Sequence, residues 1–76
     1  MPEDMSTRLL EESVGKVVLV KLRGNKIIRG KLQGFDQHMN LLLGEAEDTS
    51  NSDKPDRLGT IILRGDNVII ISPPKN

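Results

Sequence analysis

Two runs near the C-terminal end, Ile61-Ile62-Leu63 and Val68-Ile69-Ile70-Ile71, are apolar at every position. A strand with one wet face alternates apolar and polar side chains, whereas an unbroken apolar run calls for cover on both faces. The chain has only 76 residues, with one short helical segment and little else to lay over a second face. Left open, such strands are aggregation-prone edges, since neither run contains a charge or a proline. The economical solution is that another copy of the chain packs on or pairs with them. The pattern therefore predicts a homo-oligomer.

Size points the same way. A chain this short makes one domain and buries about 60% of its unfolded surface, so its own core is marginal. Disulfides and Cys-based zinc sites are excluded because there is no Cys, and the lone His cannot build a metal site. No cofactor is implied, and oligomerisation remains as the reinforcement. Eleven basic residues balance eleven acidic ones, so binding to phosphate by bulk charge is disfavoured and any nucleic-acid site must be local. There is no signal-peptide core, and no run approaches about 18 apolar residues, so no membrane span is expected. A soluble, cytoplasmic protein is the expectation.

Taken in order, Met1 to Asp4 is polar and expected to fray. Ser6 or Thr7 can cap a short helix over about residues 5–13, with Leu10 and Val14 spaced to dock and Gly15 as a stop. Strands are predicted over residues 16–23, 26–35, 41–47, 57–63 and 68–72. Gly24-Asn25 reads as a two-residue hairpin between the first pair. Gly30 and Gly34 fall on one face of the second strand with Ile28 and Leu32. Glycines so placed mark sharp bending or close backbone approach, as in a small, strongly curved barrel. Residues 48–56 form a polar surface loop, Arg64-Gly65-Asp66-Asn67 a turn, and Pro73-Pro74 an end to regular structure.

The junction Phe35-Asp36-Gln37-His38-Met39-Asn40 holds the only Phe and the only His. If it meets the turn at residues 64–67 at one end of a curved sheet, His38, Asn40, Arg64 and Asp66 are presented together. Imidazole and guanidinium planes can sandwich an unstacked base, and an amide offers a donor and an acceptor to a base edge. Each residue also has a plainer role: a turn His can be structural, Asp36 and Asn40 can bond turn backbone, and Arg64 can be a solvated charge. An enzyme fits poorly, because one His serves no Ser-His-Asp or Cys-His set and no phosphate-binding glycine loop is present. No catalytic residue is assigned.

The run Gly30-Lys31-Leu32-Gln33-Gly34-Phe35-Asp36-Gln37-His38-Met39-Asn40-Leu41 closely resembles the first half of the Sm motif of Sm and Sm-like (Lsm) proteins. Leu58-Gly59-Thr60-Ile61-Ile62-Leu63-Arg64-Gly65-Asp66-Asn67-Val68 resembles the second half. The likeness runs from about Ser6 to Pro73, within a single domain spanning the chain, and its compact form resembles the archaeal Sm-like proteins. It implies an all-β Sm fold, a short N-terminal helix on a strongly bent five-stranded antiparallel sheet or small open barrel. It further implies a ring, usually of seven subunits and alternatively six, in which the fourth strand of one copy pairs with the fifth of the next. Family members bind uridine-rich single-stranded RNA around the central pore, in RNA processing or as chaperones and scaffolds. By position, the resemblance implies that His38 and Arg64 sandwich the base and Asn40 reads its edge. Asp36 would brace the loop, and Gly65 and Asp66 would line the pocket. A structural or protein-interaction ring with little RNA role is the alternative.

Overall fold

The computed structural model describes residues 5–51 and 53–73. The fraying expected of Met1 to Asp4 lies outside those residues, as do Ser52 of the polar loop and Pro74. The chain runs as α1 (Met5–Ser13), β1 (Val17–Leu22), β2 (Lys26–Phe35), β3 (Leu41–Asp48), β4 (Asp56–Leu63) and β5 (Val68–Ser72). A short 3-10 turn at Gly65–Asn67 joins the last two strands. No helix among the described residues is long and apolar enough to cross a membrane.

The five strands form one antiparallel sheet in the order β4-β3-β2-β1-β5. β4 and β5 are therefore the two outer strands, yet four residues, Arg64 to Asn67, connect them. So short a link between opposite edges is possible only because the sheet bends strongly round on itself. Gly30 sits where that bend brings strands together: a Cβ there would lie 3.2 Å from the Leu43 Cβ and 3.3 Å from the Ala46 Cα. Only a residue without a side chain fits comfortably. Inside the curve, Val18, Val20, Leu32, Leu41 and Leu43 are fully buried, following the alternation that puts every second strand residue on one face.

α1 closes one end of this core with Leu10, which is buried. At nine residues it cannot hold alone and depends on that docking. Gly15 ends it at φ +89, and the chain is tied to β2 by the Gly15 N–H on the Leu32 carbonyl (2.7 Å) and the Leu32 N–H on the Lys16 carbonyl (2.9 Å). Two expectations for this segment fail. Ser6 and Thr7 fall inside the first turn and so do not cap it. Val14 is exposed; Ser13 takes the buried place instead, its hydroxyl donating to the Leu9 carbonyl at 2.8 Å.

The first hairpin also differs from expectation. Leu22 pairs with Lys26, leaving three residues in the connection rather than two, with Gly24 and Asn25 both at positive φ. The cause is long-range: the Arg23 N–H donates to the Asn67 carbonyl (3.0 Å), drawing Arg23 toward the start of β5 and out of the ladder with β2.

The polar loop is narrower than 48–56, because Asp48 pairs with Asp56 and both join their strands. It is stapled to the start of β2. The Thr49 N–H donates to the Ile27 carbonyl (2.8 Å), the Ile27 N–H donates to the Ser50 hydroxyl (2.9 Å), and Lys26 Nζ lies 3.2 Å from Asp48 Oδ2. The Ser50 hydroxyl and backbone N–H, with help from Lys26, hold the Asp48 carboxyl at a pKa of about 2, below its ordinary 3.8. A carboxyl more acidic in the folded chain than in the unfolded one stabilises folding above its unfolded pKa. That contribution is lost as pH falls through the folded value. The urea midpoint should therefore fall between about pH 4 and pH 2, and Asp48→Asn should flatten that part of the profile while leaving the neutral-pH midpoint lower.

The two apolar runs are covered on one side only. Leu63 is buried, and Ile61, Val68 and Ile71 pack against the core. Ile62, Ile69 and Ile70 point away from it, 68%, 56% and 53% exposed. All three lie on the outer strands, whose outer edges no other strand among the described residues pairs.

Candidate functional site

The β2–β3 turn is built by one carboxylate. Asp36 Oδ1 accepts the backbone N–H groups of His38 (2.9 Å) and Asn40 (3.0 Å), and Oδ2 accepts the Asn40 side-chain amide (2.9 Å). Backbone bonds from the Met39 N–H to the Asp36 carbonyl and from the Asp36 N–H to the Asn40 carbonyl complete it. This Asx arrangement lets Met39 adopt φ +64. Met39 and Phe35 are half-buried and pack against the core, which anchors the turn from beneath. The Asn40 side-chain amide, seconded by those two backbone N–H groups and the nearby His38, holds the Asp36 carboxyl below its ordinary pKa despite a burial cost. Asp36 is thus an acceptor at neutral pH and cannot donate.

The β4–β5 turn meets this one through Asn40. Its side-chain oxygen accepts the Gly65 N–H at 2.8 Å, across twenty-five positions of sequence. Gly65 also passes so close to the His38 carbonyl that a Cβ there would collide with it. The Asn67 N–H bonds the Arg64 carbonyl (3.0 Å), closing the second turn. The two turns are thereby fixed to each other, the backbone of one held by a side chain of the other. His38, Arg64 and Asp66 stand exposed around the junction, with Asn40 and Gly65 half-buried within it. Among the described residues the one ion pair is Lys26–Asp48, so neither the Arg64 guanidinium nor the Asp66 carboxylate is held by an opposite charge.

The orientation of the Asn40 amide follows from its partners: a carboxylate only accepts and a backbone N–H only donates. One N–H and one oxygen lone pair of that amide remain for a ligand. Exposed planar groups beside a fixed amide can hold a flat, uncharged, hydrogen-bonding ring. All six residues singled out in the sequence are found in these two turns. The bond from Gly65 to Asn40 is what sequence reasoning missed, and the one signal for it was a glycine set between an Arg and an Asp.

The LSM domain family model matches residues 8–73. An snRNP Sm-like protein of Methanococcoides burtonii is 42% identical over 65 residues, covering 86% of this chain and 90% of its own. Among solved structures, the SmAP1 heptamer of P. aerophilum superposes with a TM-score of 0.90 at 44% identity, over 99% of this chain and 100% of that one. The Sm protein of Pyrococcus abyssii, solved in complex with a uridine heptamer, superposes with a TM-score of 0.86 at 38% identity, over 93% of this chain and 100% of that one.

Proposed function

From the premise that this chain belongs to the LSM domain family, we propose that it assembles into a homo-oligomeric ring of seven subunits that binds short uridine-rich single-stranded RNA at its central pore. The role is RNA processing, or chaperoning and scaffolding of RNA, in the cytoplasm, with no chemical step. The observation that carries this is the joint between the two turns, which fixes the sense of the Asn40 amide, with His38 and Arg64 exposed in the turns it joins. The unpaired outer edges of β4 and β5 support the ring, as do the heptameric P. aerophilum relative and the uridine complex of the P. abyssii relative.

The chemistry proceeds from the amide. His38 and Arg64 sandwich the base, and the free N–H and lone pair of Asn40 meet its edge. Uracil presents an N–H donor beside a carbonyl acceptor; cytosine presents an acceptor beside an amino donor. A freely turning amide could flip to serve either base. This one would have to give up both Asp36 and Gly65 to flip. Asp36 braces the loop, and Gly65 and Asp66 line the pocket. One such site is weak, and repetition around a ring makes it useful by avidity.

The test compares oligo-uridine with oligo-cytidine on wild type and on the double variant His38→Ala/Arg64→Ala, with native mass spectrometry to check that the ring persists. Losing two stacking platforms at about 1 kcal/mol each should weaken each uridine site by roughly 30-fold. Oligo-cytidine should bind weakly throughout. Equal affinities in all four combinations would reject RNA recognition at this site and leave a ring that organises proteins.

A further inference from the structure

The outer face of β1 and β2 carries an apolar and cationic stripe that shares no residue with the proposed base pocket. Val17, Leu19 and Ile27 are 45%, 44% and 37% exposed, while their chain neighbours Val18, Val20 and Ile28 are buried. Strand alternation therefore turns the first three outward. The register sets a cation directly across from each of them: Lys31 opposite Val17, Arg29 opposite Leu19 and Lys21 opposite Ile27. All three cations are exposed. None belongs to the one ion pair among the described residues, Lys26–Asp48. Long cationic stems often lie over apolar neighbours and shield them. Here the three aliphatic side chains stay open to solvent beside them.

We infer that this stripe is a docking surface for an acidic amphipathic helix of another protein. β1 and β2 lie inside the strand order, so neither offers an unpaired edge to which a strand could be added. A helix laid on the face is the mode that remains. From the Val17–Lys31 pair to the Lys21–Ile27 pair the stripe runs about 13 Å along the strands, a length that about three turns of helix cover. Aliphatic residues along one side of that helix meet Val17, Leu19 and Ile27, and flanking carboxylates meet the three cations. Glu45 and Glu47 of β3 bound the face, lining a hollow of about 270 Å³ with Val17, Arg29 and Lys31. They repel an acidic segment laid further across and so hold it over β1 and β2. RNA is a poorer occupant. The chain has no Trp or Tyr, and its one Phe lies outside the stripe, so no aromatic ring stacks a base there. A phosphate backbone, charged at every nucleotide, also meets the two carboxylates of β3.

The probe is a synthetic helical peptide with leucines at i, i+4 and i+7 and glutamates on both sides of that row. Its control keeps the leucines and carries lysines in place of the glutamates. Wild type should bind the acidic peptide at least ~10-fold more tightly than the basic one. Binding should shift the methyl NMR signals of Val17, Leu19 and Ile27, a readout that needs no variant. Lys21→Glu combined with Lys31→Glu should weaken the acidic peptide by at least ~10-fold, with a circular dichroism spectrum like that of wild type. Oligo-uridine affinity should stay unchanged, since neither side chain belongs to the base pocket. Equal binding of the two peptides by wild type would overturn the docking surface, as would methyl shifts confined to the exposed Met5 and Leu9 of α1. A charge-reversed variant that keeps the acidic peptide and loses oligo-uridine would make the stripe an RNA surface and overturn it equally.

Discussion

Gly65→Ala is expected to lower the stability of the subunit by about 2–4 kcal/mol, the sum of overpacking and one lost hydrogen bond. A Cβ at this position collides with the His38 carbonyl oxygen and lies 2.9 Å from the Met39 carbonyl carbon and 3.0 Å from its oxygen. These are backbone atoms in a turn pinned by Asp36, so no side chain can rotate aside. Relief requires the two turns to separate. Separation breaks the bond from the Gly65 N–H to Asn40 and frees the amide to flip. Uridine affinity should therefore fall together with stability, and the preference for uridine over cytidine should shrink. Urea titration should show a lower midpoint with an unchanged slope. A variant of wild-type stability with intact uridine preference would show that the joint between the turns does not govern the site.

Leu32→Ala is expected to act through the core. Leu32 is fully buried and sits in β2 between two strands and beneath the helix junction, where its backbone bonds Gly15 and Lys16. Truncating a buried leucine costs about 2–5 kcal/mol, against a total of roughly 4–11 kcal/mol for a domain of this length. The variant should lose most of its folded monomer. Assembly then decides what survives, since association stabilises only the folded form. Its melting temperature should rise with protein concentration more steeply than that of wild type. Concentration-independent melting, at a temperature close to wild type, would contradict both the packing of Leu32 and the dependence on association.

The local features were legible because each has a local cause. β2 is bounded by Asn25 and Asp36, and β5 by Asn67 and Pro73, so their limits could be read from punctuation alone. The apolar runs announced uncovered strands, and Ile62, Ile69 and Ile70 prove to be uncovered. The failures share a different cause. Arg23 leaves its hairpin for a carbonyl forty-four positions away, and β1 comes to lie between β2 and β5. Ser13 displaces Val14 from the buried face because the helix axis is set by where Leu10 docks. At the site, the residue types were visible in each turn separately. The bond that joins them depends on the curvature of the whole sheet, which no window of sequence contains.

That curvature has a further consequence. β4 and β5 are the two flanks of the subunit, and the four-residue link from Arg64 to Asn67 joins them and carries the bond to Asn40 of the proposed pocket. A subunit whose flanks meet at an angle is a wedge, and the angle of a wedge decides how many of them close a circle. Lengthening or stiffening that link would alter the polygon as well as the pocket. The join between the two flanks and half of the proposed pocket thus share one short link, residues 64–67.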